Sequence, residues 1–178
     1  MASPTGRQEI RTIRAAAQLS LVAVVALLAA ASARAAPPDA GVLVPGRSLG
    51  GVTLGSSLDD VVARWGRAYG RCRGCAAETL YFNRFAFRPE GAGVELRRGR
   101  VDAVFTLWAP AGWRTAQGLA IGEPSLRLQS TYAPLQRTAC RGYEAFTLPG
   151  SGPRSVAYVV DGDVWGFALL ARGHAVCL

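Results

Sequence analysis

Four cysteines, Cys72, Cys75, Cys140 and Cys177, and a single histidine, His174, are the first residues here whose types could do chemistry. Cys72-Arg73-Gly74-Cys75 has the C-x-x-C spacing of a thiol-redox pair. Such a pair works when one thiol has a depressed pKa, commonly at a helix N-terminus. Here the motif follows a helical pattern and precedes a strand pattern, so it reads first as a structural bridge, with redox work at Cys72/Cys75 as the lesser reading. A four-cysteine zinc site is weaker again, because 36 residues separate Cys140 from Cys177. His174 lies near Cys177 but completes no constellation. Asp161 and Asp163 could act as paired carboxylates, yet they flank Gly162, where turn formation already accounts for both. No nucleophile, base and orienting group stand together. The chain is therefore read as non-catalytic, with no cofactor and no metal.

The cysteines belong to a compartment where they can oxidise, and the first 35 residues supply the address. Arg7, Arg11 and Arg14 precede an apolar run from Ala15 to about Ala33, which ends in Ala33-Arg34-Ala35. Positive head, short apolar middle and A-x-A exit make a secretory signal peptide over residues 1–35, cleaved near Ala35. The competing reading, a retained anchor, calls for about 20 strongly apolar residues, and this run is diluted by alanines, Gln18 and Ser20. The protein is thus expected to be secreted or held in the cell envelope, touching the membrane only through its signal peptide during export.

All 20 basic residues are Arg, and the formal charge is +8 over 178 residues. Without the leader there remain 16 Arg and 11 acids, a charge of +5. Spread over one domain, that is no nucleic-acid stripe. The tightest cluster, Arg97, Arg98 and Arg100, reads as a solvated hairpin tip.

The remaining length suits one domain, and it repeats itself. Cys72–Leu80 and Cys140–Leu148 share six of nine residues at an offset of 68; Thr53-Leu54-Gly55 matches Ala120-Ile121-Gly122 at 67, and Gly99-Arg100-Val101 matches Gly162-Asp163-Val164 at 63. Such periodicity decides architecture before other signals do. The repeat makes Cys72 and Cys140 equivalent, so each should bridge within its own unit, as Cys72–Cys75 and Cys140–Cys177. The competing pairing is Cys72–Cys140 with Cys75–Cys177.

Each unit carries the same elements. Leu58, Val61, Val62 and Trp65 fall on one helical face, with Ser56 or Ser57 as cap and Gly66 as stop. Leu128, Tyr132 and Leu135 form the matching stripe, with Pro124 at the helix start. Strands follow at Thr79–Asn83, Gly93–Arg98 and Arg100–Trp108, then at Glu144–Leu148, Ser155–Val160 and Asp163–Leu170. Arg98-Gly99 and Asp161-Gly162 are two-residue hairpin turns. The expected fold is α+β: a tandem repeat of a short helix followed by three to four antiparallel strands, forming one helix-backed antiparallel sheet. Residues 36–48 are an N-terminal extension, 49–109 the first unit, 110–118 a linker and 119–178 the second unit.

Alternation then assigns faces. Counted from the hairpin glycines, Val101, Ala103, Phe105 and Leu107, with Val164, Gly166, Ala168 and Leu170, should face the helices. Asp102, Val104, Thr106 and Trp108, with Trp165, Phe167, Leu169 and Ala171, should lie on the open face. Exposed aromatics usually mark interaction sites. A partner-binding face is therefore expected around Trp108, Tyr158, Trp165 and Phe167. The competing reading is that the linker, the tail or the other unit covers it.

The phrase Gly51-Val52-Thr53-Leu54-Gly55-Ser56-Ser57-Leu58-Asp59-Asp60-Val61, ahead of a small helix and an antiparallel sheet, resembles the SmpA/OmlA type of small envelope protein. The tandem arrangement in an exported chain is similar to the β-lactamase inhibitory protein (BLIP-like) group. The resemblance covers about residues 48–173. It implies a helix-backed, concave sheet that binds protein rather than catalyses, with another extracellular or envelope protein as partner. An envelope-assembly role is the alternative it suggests, although no lipid-anchor cysteine follows the leader.

Overall fold

The computed structural model describes residues 40–85 and 88–178. The leader expected over residues 1–35 lies outside the described residues. The elements run β1 (Gly41–Val44), β2 (Ser48–Leu49), α1 (Leu58–Trp65), β3 (Gly70–Arg71), β4 (Glu78–Phe85), β5 (Arg88–Arg97), β6 (Arg100–Leu107) and β7 (Trp113–Thr115). They continue with α2 (Ser125–Tyr132), β8 (Gln136–Cys140), β9 (Tyr143–Thr147), β10 (Arg154–Val160) and β11 (Asp163–Leu170). The fold is mixed α+β. Eight strands form one antiparallel sheet in the order β3-β4-β5-β6-β11-β10-β9-β8.

Local chemistry explains the elements. Ser57 caps α1 by accepting from the Asp60 N–H, and Asp60 accepts in return from the Ser57 N–H at 2.8 Å, a reciprocal capping box. Beginning α2, Pro124 has no side-chain cap, and the helix ends at Tyr132 rather than reaching Leu135. At the hairpins, Arg98-Gly99 and Asp161-Gly162 both have positive φ at their two central residues, the turn that matches strand twist.

The two halves share their hydrogen bonds. The Gly55 N–H donates to Val101 O at 2.8 Å, and the Gly122 N–H to Val164 O at 2.7 Å. In return Val101 N–H donates to Ser56 O and Val164 N–H to Glu123 O. Each helix start is thereby stitched to the last strand of its half. The central ladder pairs β6 with β11, and Phe105 meets Ala168. Those residues are 63 apart, the same offset as the two hairpin turns.

One expectation about the faces fails beyond Val101 and Val164. In β6, Leu96 pairs with Val101 and Glu95 with Ala103, leaving Asp102 as an extra residue. In β11, Val159 pairs with Val164 and Tyr158 with Gly166, leaving Trp165 extra. A bulge adds one residue, and one residue exchanges the faces for the rest of the strand. Val104, Phe167 and Leu169 therefore join Val61, Trp65 and Leu128 in the helix-side core. Ala103, Phe105, Ala168 and Leu170 form a second cluster on the helix-free face with Ala145 and Tyr158.

The segments read as extension and linker are also structural. Gly41–Leu43 pairs in parallel with Trp113–Thr115, and Leu43 with Leu49, making a three-stranded sheet of β2, β1 and β7. Leu43, Leu49, Trp113 and Leu119 are completely buried in the helix-side core. Trp65 meets Trp113 edge-on at 6.4 Å and donates its indole N–H to Gly50 O at 3.0 Å. A side chain on Gly41 would strike Trp113, since a Cβ there would lie 2.5 Å from the ring.

Candidate functional site

The two cysteine pairs are joined within their halves, Cys72 to Cys75 and Cys140 to Cys177. Cys72–Cys75 closes the loop between β3 and β4, and no helix begins there. Cys140–Cys177 ties the end of β8 to the last turn of chain. Among the described residues no group of three His, Cys, Asp or Glu side chains is arranged to hold a metal ion.

The helix-free face carries a groove of about 670 Å³, within the roughly 300–1,000 Å³ range of ligand clefts. It opens where the central ladder ends. Past Phe105 and Ala168 the Thr106 hydroxyl, rather than its carbonyl, accepts the Phe167 N–H at 2.9 Å. The strands part there. Its lining comes from β4–β6 and the residue after them (Thr79, Tyr81, Glu95, Leu107, Trp108) and from β9–β11 (Tyr143, Tyr158, Val160, Trp165), together with Arg141 and Leu178.

Of the four expected partner-binding residues, three line this groove and one does not. Trp108 is 59% exposed at its mouth. It holds φ +58, a conformation that a bulky L-residue adopts only at a cost of about 1–2 kcal/mol. Its ring meets that of half-buried Trp165 at 6.2 Å and 64°. Tyr158 lies at the groove floor and is only 2% exposed. Phe167 is a correction: the bulge at Trp165 turns it into the helix-side core, where it is completely buried.

Tyr158 is buried because the tail covers it. Its hydroxyl donates to Val176 O at 3.0 Å, and burial pushes its pKa above the ordinary phenol value. The Tyr143 hydroxyl donates to Leu178 O at 2.9 Å and accepts from the Leu178 N–H at 2.8 Å. Arg154 donates to His174 O, and His174 Nε2 lies 2.8 Å from Glu95 Oε2. The covered-face reading therefore holds for the part of the sheet under Ala171–Leu178, while the Trp108 end stays open.

Alternation also places Glu95 on the open face, and the structure puts it in the groove; sequence reasoning missed Tyr81 and Tyr143 and named the tail only as one possible cover. The tail leaves one signal, Cys177, whose partner places the last residues beside β8 and β9.

No family model matches the chain, and no curated protein matches it. Among solved structures it is similar to an extracellular protein containing an SCP domain from Bacillus anthracis strain Ames. That likeness has a TM-score of 0.48 and 10% identity, over 67% of this chain and 44% of that one. It is also similar to a cysteine-rich secretory protein from Staphylococcus aureus Mu50, with a TM-score of 0.43 and 14% identity, over 78% of this chain and 49% of that one. The chain spans about half the length of these structures. They overturn the expected SmpA/OmlA and BLIP-like resemblance: the neighbours are SCP-domain and cysteine-rich secretory proteins.

Proposed function

We propose that the chain is an exported, non-catalytic protein-binding module, built from two copies of one helix-and-strand unit, that holds its partner in the groove on the helix-free face. The observation that carries this reading is Trp108. A large aromatic kept 59% exposed and at positive φ, braced edge-on by Trp165, stands at the mouth of an aromatic-walled cleft. Its contact with Trp165 buries only part of the ring, and Trp and Tyr in pockets are the usual anchors of interfaces. Two disulfides suit an oxidising compartment. The paired bulges and matching helix-to-strand hydrogen bonds support the two-copy origin.

Affinity capture from culture supernatant and envelope extract tests the reading. Protein beginning at Ala36 is the bait, run beside Trp108→Ala and Trp108→Ala/Trp165→Ala baits. A partner retained by the first and lost from both variants is the expected result. The same set of proteins on all three baits would remove the groove's assignment.

A further inference from the structure

The single histidine sits where it can govern the cover over the helix-free face. His174 lies in the stretch from Ala171 to Val176, and Val176 packs against the apolar cluster that holds Tyr158 and Leu170. The ring has an oxygen at each nitrogen. Nε2 lies 2.8 Å from Glu95 Oε2, and Nδ1 lies 3.0 Å from Ala175 O. A carboxylate and a carbonyl are both acceptors. A neutral imidazole has one N–H and one bare nitrogen, so it satisfies one of them and turns a lone pair on the other. The imidazolium donates to both. The Glu95 side of this arrangement is largely shielded from solvent, where a charge-assisted bond is strongest.

The other charged and titratable groups around the segment are already committed. Asp102 of β6 meets Arg97 of β5 at 3.7 Å, and Arg154 of β10 donates to His174 O. Tyr158 donates to Val176 O and Tyr143 to Leu178 O, while Arg172 is exposed. Among the described residues Glu95 is the one carboxylate that meets the ring.

We propose that His174 is a proton-controlled clasp: as the imidazolium it holds residues 172–176 on the sheet, and release of its proton to solvent loosens that stretch over Tyr158. Imidazole changes charge between about pH 5 and 8. The clasp is therefore closed in mildly acidic medium and relaxed in mildly alkaline medium, with Glu95 ionised throughout. Relaxation is bounded, because β11 holds the chain up to Leu170 and Cys177 is bridged to Cys140. The device needs no partner in the groove, so its fate is separate from that of the binding-module reading.

Amide exchange followed residue by residue in NMR spectra tests the clasp. Protein beginning at Ala36 is measured at about pH 5.5 and about pH 7.5 beside Glu95→Gln and His174→Gln. The reporter is the N–H at position 174, which donates to Ala171 O at 3.0 Å. The reference is the Phe167 N–H, bonded within the sheet to the Thr106 hydroxyl. A charge-assisted hydrogen bond is about twice as strong as a neutral one, so at the lower pH the parent's reporter should be protected about threefold or more over either variant's. At the higher pH the three proteins should converge, with the reference unchanged. Equal protection in parent and variants at the lower pH would overturn the proposal. So would a parental advantage that persists undiminished at the higher pH, since the His174–Glu95 contact would then be a fixed structural bond. Should a variant lose protection at Phe167 as well, the parent decides alone: its reporter must lose about threefold relative to Phe167 between the two pH values, and a constant ratio sinks the clasp.

Discussion

At the scale of single residues, Trp108 and Trp113 show how one residue type serves two ends. Trp113 is completely buried in the helix-side core against Trp65, and Trp113→Ala should cost about 3–5 kcal/mol. Trp108 is mostly in water. For Trp108→Gly, relief of the positive φ and the added unfolded-state freedom of glycine are of similar size and opposite sign. Denaturant unfolding should place Trp108→Gly within about 1 kcal/mol of the parent, while groove binding is lost. A loss as large as that of Trp113→Ala would show that Trp108 serves folding and not recognition. Tyr158 gives a second residue-scale expectation. Its folded-state pKa lies above the ordinary phenol value of 10.0 because burial disfavours the phenolate. The unfolded chain therefore releases a proton that the folded chain keeps. This contribution is fully present below pH 10 and is lost as pH rises beyond it, by at most about 1.4 kcal/mol per pH unit. Compared across that window, Tyr158→Phe should lose less stability with rising pH than the parent, from a starting point about 1 kcal/mol lower for the missing hydrogen bond to Val176. Parallel pH curves would mean that the phenol is not held neutral by burial.

At the scale of elements, the helix starts differ although their surroundings match. α1 has its Ser57–Asp60 capping box, and α2 begins at Pro124 with no side-chain acceptor. Ser57→Ala should cost about 1 kcal/mol, read as a lowered unfolding midpoint with unchanged slope, whereas Pro124→Ala removes no cap bond. Equal losses would mean that the stitching of each helix start to the last strand, rather than the cap, holds these helices. The sheet shows how far local sequence carries. Both hairpins are written in their turn residues, and the strands of the long hairpins fall within a few residues of their apolar runs. The bulges are not written locally. Asp102 and Trp165 have nothing in common as side chains, and each is extra only because of where its partner strand lies. Strict alternation therefore exchanged the faces and carried Phe167 to the wrong side. The matching nine-residue segments are also displaced: the ladders make Thr79 equivalent to Ala145, since they oppose Glu95 and Tyr158 at the two bulges. That is an offset of 66 where the residue match has 68. A shift of two keeps each side chain on its face, so the apolar pattern survived it.

At the scale of the whole molecule, the tail decides how much of the face is open. Cys140–Cys177 spans 37 residues, and a closure of that length is worth about 4 kcal/mol in the chain-entropy model, against about 2 for the short Cys72–Cys75 loop. Cys140→Ser/Cys177→Ser should lower the unfolding midpoint more than Cys72→Ser/Cys75→Ser. It should also increase binding of an apolar dye, because Tyr158 and Leu170 lose their covalently held cover. Unchanged dye binding would mean that Tyr143, Tyr158, Arg154 and the His174–Glu95 contact hold the segment without the bridge. What the sequence determined by itself is the set of local signals. These include the turn glycines, the capped first helix and the apolar runs, which rest on short-range spacing and backbone preference, and the cysteine pairing, which was read from matching segments 68 residues apart. Only the tertiary structure decided which face each side chain takes, that residues 41–49 and 113–115 complete the core, and that a groove remains beside the tail. Each of these depends on pairing between residues tens of positions apart, where one extra residue in a ladder reverses the outcome and no local propensity records it.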